Sequence, residues 1–466
     1  MNPLLFDFEE IKKAYQHEPN PSFETRCDRI NRIVRMITEN EENLCKAVFA
    51  DFGQRNMIET RFAELSMIQQ SAKFMIAHMK EWMKPISVET PLHLKPSQSA
   101  LIPQSKGVIG IMSPWNYPLQ LALIPAIAAF AAGNRIWLKP SERSPRTSGY
   151  LASLIGQYFH PSEFSVTCGD GEVAAQFSAL PFDHLLFTGS TATGKVVMRA
   201  AAENLTPLTL ELGGKSPCII DPSAKLSDAA SRIVYGKLLN AGQTCVAPDY
   251  LIVPNAQVND LIAELKKSAQ RMFTKTEDLT FPIDERQLER WQYLVNDAVQ
   301  KGATAIPLFE AGQLEGHPFI PTIILNPTSA SSLMNEEIFG PILPIIGYDH
   351  IDEVTSFIGR YERPLAMYWF GKSKANLKHI LEVTHAGGVT INDTLLHLAN
   401  EHLPFGGIGH SGMGAYHGKF GFDTFTHYKP VLKAKAWLGM RGLAGTKLLH
   451  PPYGKTIETL LKFLNR

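Results

Sequence analysis

A chain of 466 residues exceeds what one compact core holds, so two or three domains are expected. Its 45 basic residues equal its 45 acidic ones and 44% of residues are apolar, which removes any bulk electrostatic reason to expect nucleic acid or an acidic surface as partner. Cys27, Cys45, Cys168, Cys218 and Cys245 are widely spaced, with no CxxC pair or Cys/His cluster, so neither a disulfide framework nor a metal site is expected, and a reducing, cytoplasmic setting fits.

The first ten residues, Met-Asn-Pro-Leu-Leu-Phe-Asp-Phe-Glu-Glu, lack a basic leader and a long apolar stretch, so no secretory signal is expected. Residues 8–83 carry apolar side chains at helical spacing, among them Ile30, Ile33, Val34, Met36 and Ile37, then Phe62, Leu65, Met67 and Ile68, and predict several amphipathic helices. Residues 84–103 hold four prolines and extended segments at 86–88 and 92–94, which fits an arm leaving the domain body or a surface linker. From Gly107 short apolar strands (107–112, 135–140, 164–167, 184–187) alternate with helical runs. That alternation predicts a parallel sheet covered on both faces, with a nucleotide at the carboxyl ends of its strands. The longest apolar run, 119–132, is interrupted by Gln120 and Pro125 and is too short to span a bilayer. A second series follows at 207–212, 217–220 and 250–253, then a charged helical region to about 300, then strands at 344–346, 365–370 and 388–392. A late strand at 428–434 and a short amphipathic helix at 455–464 complete the chain.

Several stretches point to chemistry. In His184-Leu185-Leu186-Phe187-Thr188-Gly189-Ser190-Thr191-Ala192-Thr193-Gly194-Lys195 a strand feeds a glycine-bounded turn and a helix, whose first N–H groups suit a phosphate. The match to Gly-x4-Gly-Lys fails as a P-loop, because Val196 stands where magnesium needs a hydroxyl. Gly407-x-Gly409-x-x-Gly412 imitates a dinucleotide fingerprint but follows Leu403-Pro404-Phe405-Gly406 rather than a strand, and is read as a glycine loop. Lys139 and Glu142 follow a strand end, where an amine donates to ribose hydroxyls and a carboxylate accepts from a 2′-OH while repelling a 2′-phosphate; strand and helix capping explains the same pair. Asn116, at another strand end, suits an oxyanion donor or a turn. Glu211 sits among Leu208, Leu210 and Leu212 before Gly213-Gly214, where desolvation would raise its pKa towards that of a base. Cys245 occupies a turn of small residues, Asn240-Ala241-Gly242-Gln243-Thr244-Cys245, open to reading as a nucleophile or as a small buried hydrophobe.

Ser-Pro-Trp-Asn-Tyr-Pro, Leu-Lys-Pro-Ser-Glu, Phe-Thr-Gly-Ser, Leu-Glu-Leu-Gly-Gly-Lys, Asn-Ala-Gly-Gln-Thr-Cys, Glu-Ile-Phe-Gly-Pro and Leu-Pro-Phe-Gly-Gly occur in this order, and with them the chain resembles the aldehyde dehydrogenases along nearly its whole length. Its length and Cys245-Val246-Ala247-Pro248-Asp249-Tyr250 resemble the class 3 branch, and the 388–394 segment with Met413-Gly414-Ala415-Tyr416-His417-Gly418 resembles the bacterial coniferyl-aldehyde-dehydrogenase-like members of that branch. The resemblance implies Cys245 as nucleophile, Glu211 as general base and Asn116 as oxyanion donor. It further implies NAD, with NADP possible, as cofactor, held by Lys139 and Glu142 at the adenosine ribose, by Gly189, Ser190, Thr191, Ala192, Thr193 and Gly194 at the pyrophosphate, and by Glu337 and Phe339 at the nicotinamide ribose and ring. The implied reaction is oxidation of an aldehyde, of the aromatic coniferyl type, to a carboxylic acid through a cysteine thiohemiacetal and thioester; a medium- or long-chain fatty aldehyde is the alternative. An acylating dehydrogenase would use the same cysteine without Glu211, and a non-catalytic scaffold would be expected to have lost one of the two. Tyr117, Leu119, Leu395, Leu396, His397 and Phe405 are the candidate pocket residues, and they serve equally well as core.

The fold implied is α/β, with a Rossmann-type cofactor domain from 1–83 and 104–210, an α/β catalytic domain from 211–393, and a small β oligomerisation element, substrate-mouth loop and tail from 84–103 and 394–466. A homodimer, with strands of 84–103 and 428–434 pairing across a two-fold axis, is the expected assembly.

Overall fold

The computed structural model describes residues 4–91, 94–434, 451 and 454–464. The N-terminal helices Leu5–His17, Phe23–Glu39, Glu41–Phe52 and Ser66–Trp82 follow the amphipathic pattern. Phe23–Glu39 starts where the Ser22 hydroxyl accepts the Thr25 N–H at 3.2 Å, and it buries Ile30, Ile33, Met36 and Ile37. Gly53, with φ of 72°, ends Glu41–Phe52 in the left-handed conformation that glycine adopts without steric cost. A π-helical turn, Arg61–Leu65, joins the short helix Met57–Thr60 to Ser66–Trp82 and carries the buried Glu64.

Strand–helix alternation builds two sheets. The first runs in the order Gly412–Met413, Leu208–Glu211, His184–Thr188, Val108–Met112, Arg135–Lys139, Phe164–Val166, parallel except for the first strand, which lies antiparallel with Gly412 opposite Glu211. The second runs Thr304–Pro307, Thr322–Leu325, Ile342–Tyr348, Tyr250–Pro254, Pro217–Ile220, Ala366–Phe370, Gly388–Ile391, antiparallel only at its first pair. Apolar clusters lie on both faces of each sheet, which is why these inner strands are buried at every position and largely apolar. In the first sheet one such cluster packs Phe8, Trp137, Phe177 and Phe182 ring on ring.

The third sheet is antiparallel, in the order Ile86–Val88, Gln98–Ser105, Thr426–Lys433. The extended arm read from 84–103 is thus two strands, the second running on to Ser105. Leu92 and His93 of the expected 92–94 segment, and 435–450 of the expected tail, lie outside the described residues, while Lys455–Leu464 is helical. The strands Thr304–Pro307 and Thr322–Leu325 have no counterpart in the sequence reading: each is four residues long, and Gly302, Pro307 and Pro321 disguise them as loop.

Candidate active site

Cys245 follows a turn in which Asn240, Ala241 and Gly242 all take positive φ, at 51°, 51° and 73°. Three consecutive left-handed residues are unfavourable and need support from outside the turn. That support is dense. Gln243 donates from its side chain to the carbonyls of Asn240 and Phe281, each at 3.0 Å, and accepts from the Ile283 N–H at 3.1 Å. The Thr244 hydroxyl meets the Tyr117 hydroxyl at 2.7 Å, and the Tyr368 hydroxyl donates to the Val246 carbonyl. A Cβ at Gly242 would stand 2.5 Å from the Gly340 carbonyl oxygen, so the turn closes only around a glycine.

Asn116 leaves the end of strand Val108–Met112 through Ser113-Pro114-Trp115. Its side-chain amide donates one N–H to the Gln243 carbonyl at 3.1 Å, which turns the nitrogen towards the cysteine turn and leaves the second N–H available. Glu211 is the last residue of its strand, held between Thr188 and Gly412. It is 2% exposed and neither carboxylate oxygen has a hydrogen-bond partner. Burial holds its carboxyl well above the usual range.

Glu337 and Phe339 arrive on the loop after the short helix Ser332–Asn335. Asp249 fixes that loop, accepting from the Ile338 N–H at 2.9 Å while paired with the buried Lys215 ammonium. Arg290 donates to the carbonyls of Glu337 and Ile338, each at 2.6 Å. Gln287 and Trp291 donate to the Phe339 carbonyl, and the Phe339 ring meets Trp115 edge-on at 5.4 Å. Burial, then the charge of Asp249, pushes the Glu337 carboxyl up to about 8. Burial, then the carboxylates of Glu337 and Glu211, pushes the Cys245 thiol up to about 12. Three acids therefore compete for ionisation in one dry space.

Cys245 and Glu211 stand where two cavities meet. One is apolar, with Phe62, Tyr117, Tyr235, Phe405, Tyr416 and His417 among its walls. The other is lined by Asn116, Gly189, Ser190, Thr191, Ala192, Glu337 and Phe339, with Trp115, Arg143 and Arg290 beside them. Ser190 caps the helix Thr191–Ala202 by accepting the Thr193 N–H at 3.2 Å. Helical geometry leaves the Thr191 and Ala192 amides without intrahelical acceptors at the cavity wall. A dinucleotide fits this wall: donors for a pyrophosphate lie at one end and the half-buried Glu337 carboxylate, for a ribose, lies on the same wall as the cysteine.

Most residues singled out in the sequence meet here, but not all. Thr193 and Gly194 lie inside the helix, Gly194 packed on Leu212. Lys139 and Glu142 pair with each other at 2.9 Å at the end of their strand and do not line this cavity. Leu395, Leu396, Tyr117 and Phe405 line the apolar cavity, whereas Leu119 is core, its N–H bonded to Glu64, and His397 hydrogen-bonds Thr390 at 2.8 Å away from the lining. His417, two positions after Ala415, is the histidine that lines the cavity, its ring stacked on Phe405 at 5.2 Å. Tyr416 and His417 lay within a motif already noted; Arg290, Gln287 and Tyr235 sit on helices with no local signal.

The profile of the aldehyde dehydrogenase family matches residues 8–431. The chain belongs to the aldehyde dehydrogenase family. It is an NAD(P)-dependent oxidoreductase acting on aldehydes, of the class 3 branch. This aldehyde dehydrogenase is 42% identical to the coniferyl aldehyde dehydrogenase of Pseudomonas sp. (strain HR199) over 464 residues, 98% of this chain and 95% of that protein. It is 38% identical to the 4,4′-diaponeurosporen-aldehyde dehydrogenase of Staphylococcus aureus, over 93% of this chain and 94% of that one. The substrate-bound structure of Staphylococcus aureus AldH superposes with a TM-score of 0.92 at 37% identity, covering 100% of both chains. Among the described residues no helix of this aldehyde dehydrogenase is long and apolar enough to cross a membrane.

Proposed function

We propose that the enzyme oxidises an aromatic, coniferyl-type aldehyde to its carboxylic acid, with Cys245 as nucleophile, Asn116 as oxyanion donor and Glu211 as the base for hydrolysis. The single observation that carries this reading is that Cys245 and Glu211 lie together at the meeting point of an aromatic-walled cavity and a cavity edged by a helix N-terminus. The Cys245 thiolate adds to the carbonyl carbon, and the oxygen takes the electron pair as an oxyanion. The remaining Asn116 N–H donates to it; one such donor is worth about 2.7–4 kcal/mol of barrier. An oxidised nicotinamide, when bound, would supply the hydride acceptor and a positive charge that favours ionisation of the thiol. Loss of hydride from the tetrahedral carbon restores the carbonyl as a thioester on Cys245 Sγ. Glu211, once ionised, takes a proton from water; the hydroxide adds to the thioester carbon and the thiolate leaves with the carboxylic acid released.

Glu337 would hold the nicotinamide ribose and Phe339 the ring, with Gly189, Ser190, Thr191, Ala192, Thr193 and Gly194 at the pyrophosphate and Lys139 with Glu142 at the adenosine ribose. We assign 1–83 and 104–210 to the cofactor domain and 211–393 to the catalytic domain. Support for the aromatic substrate is the wall of Tyr117, Tyr235, Phe405 and Tyr416, on which a planar ring stacks, and the relationship to proteins named for coniferyl aldehyde. A long-chain aldehyde is the second reading. The mouth residues Phe62 and Leu396, 59% and 58% exposed, favour it, because they would cover an alkyl tail extending outwards.

A homodimer is supported by the exposed edge strand Ile86–Val88, with Ile86 and Val88 apolar and uncovered in one chain. Cysteines without disulfides among the described residues support a cytoplasmic, reducing compartment.

The deciding experiment measures NADH formation from coniferaldehyde, benzaldehyde, hexanal and decanal with the wild type, Cys245→Ala and Glu211→Gln. Cys245→Ala should abolish turnover while still binding cofactor. Glu211→Gln should give one burst of NADH and then stall as thioester. Retained turnover in Cys245→Ala would overturn the mechanism, and a preference for decanal over coniferaldehyde would favour the second reading.

A further inference from the structure

Behind the site, outside both cavities, lies a buried ion cluster that the proposed mechanism does not use. Arg55 has a fully buried side chain, with Glu59 Oε1 3.5 Å from its Nε and Glu64 Oε1 3.2 Å from its Nη1. Its guanidinium lies over the rings of Tyr117 and Phe52, at 4.8 and 5.1 Å. Glu64 is itself fully buried, and Glu59 nearly so.

Stability does not account for such a cluster. Desolvating three charges is costly, and apolar replacements of buried ion clusters are often neutral or stabilising. What the cluster does supply is direction, because each member reaches the main chain of a catalytic loop. Arg55 Nη1 donates to the Asn116 carbonyl at 2.9 Å. Glu64 accepts from the Leu119 and Gln120 N–H groups at 2.7 and 3.1 Å, anchoring the segment that follows Asn116. Glu59 accepts from the Asn240 N–H at 3.0 Å, at the first left-handed residue of the cysteine turn. The two loops are then joined directly: the Asn240 side chain donates to the carbonyls of Asn116 and Gln243, at 2.9 and 3.2 Å, and the Asn116 side chain donates to that same Gln243 carbonyl. Glu64 lies in the π-helical turn Arg61–Leu65, shortly after Glu59, so a single short segment grips both loops.

We propose that Arg55, Glu59 and Glu64 are positioning residues that fix the Asn116 amide and the Cys245 turn relative to each other, and so set the gap in which the oxyanion is caught. This rests on the reading of Asn116 as oxyanion donor. It makes the N-terminal segment 55–64 part of the catalytic apparatus without any contact with the reacting atoms.

The test is a double-mutant cycle of Arg55→Gln with Asn116→Ala, following kcat, KM, NADH binding by fluorescence and thermal melting. Arg55→Gln should lower kcat by about 10- to 100-fold, the scale of a misplacement near 1 Å, while cofactor binding stays within about twofold. In the double variant the loss should be no greater than in Asn116→Ala alone. A folded Arg55→Gln with wild-type kcat, or losses that multiply in the double variant, would overturn the proposal. If Asn116→Ala alone keeps full kcat, the oxyanion reading fails and the positioning role fails with it, a pattern distinct from either outcome above. Should Arg55→Gln not fold, Glu59→Ala reads the same clamp from the other loop. Its kcat should fall, and Glu59→Gln, which keeps an acceptor for the Asn240 N–H, should recover most of the loss; equal kcat in Glu59→Ala and wild type would overturn the proposal.

Discussion

Gly213 and Glu337 compete for one space: a Cβ on Gly213 would lie 2.0 Å from a Glu337 carboxylate oxygen. Gly213 has no positive φ, so alanine is conformationally tolerated there, and the obstructed atom is the far end of a flexible side chain. Gly213→Ala should therefore fold with little change in melting temperature but displace Glu337 from the cavity wall. The Michaelis constant for NAD is expected to rise about tenfold, equivalent to ~1.4 kcal/mol of binding. An unchanged constant would show that the carboxylate is not needed where the fold holds it.

Burial, with the carboxylates of Glu337 and Glu211, pushes the thiol of Cys245 up to about 12, and only the thiolate alkylates. Its reaction with iodoacetamide, followed by mass spectrometry of the Cys245 peptide, should quicken about tenfold per pH unit between roughly pH 7 and 10. A plateau inside that range would contradict the arrangement of acids around it. Glu337→Gln removes a carboxylate that raises the thiol, so alkylation at a given pH should become faster, not slower.

Glu163 ties the N-terminal helices to the first sheet, accepting from Arg32 at 2.8 and 3.1 Å and from Arg29 at 3.0 Å. Burial alone would raise its carboxyl, but the hydrogen bonds from Arg32 and Arg29 win and hold it at about 2, below the ordinary 4.5. A depressed carboxyl stabilises the fold fully above its unfolded value and loses that contribution as pH falls through the folded value. Glu163→Gln should cost about 2–3 kcal/mol at pH 7, a gap that closes as pH falls from roughly 4.5 towards 2. Urea melts across that range decide it; a pH-independent difference would mean the charge contributes nothing.

The Tyr117 hydroxyl meets the Thr244 hydroxyl one residue before the nucleophile, and both residues are buried. Tyr117→Phe keeps the ring under Arg55 but leaves a buried hydroxyl without its partner, at a cost of about 1–3 kcal/mol. Tyr117→Phe with Thr244→Val removes both hydroxyls and should recover much of that loss. A double variant as unstable as the sum of the singles would show that the two hydroxyls do not act as a pair.

The residues legible in the sequence share a local cause. Cys245, Asn116, Glu211 and Ser190 each sit at a strand end or a glycine-containing turn, where the chain must change direction, and such places carry a signature within a few residues. The parallel sheets were legible for a similar reason, because a strand and the helix that covers it are adjacent in sequence. Arg55, Glu59 and Glu64 were not, since a charged residue in a helical segment, or in the short loop that joins two, looks the same whether it faces water or a catalytic loop about 60–180 positions away. Arg290 and Tyr235 are hidden by the same ambiguity. The choice of His417 over His397 for the cavity wall turns on the packing of 396–417 against the body of the domain, which short-range pattern does not encode.

The strand that ends in Glu211 has one sheet neighbour that precedes it and another, Gly412–Met413, that lies some two hundred positions later. Thr426–Lys433 likewise completes the edge of Gln98–Ser105 from the far end of the chain. During synthesis, the carboxylate that is to activate water therefore waits for almost the entire polypeptide before its strand is flanked on both sides. A ribosome stalled short of Gly412 would release a chain that carries Cys245, Asn116 and Glu211 and yet lacks the wall against which the last of them is held. Loss of the chain from Gly412 onwards is thus expected to abolish the chemistry although the nucleophile is present, so product terminated before that strand is inert rather than partly active.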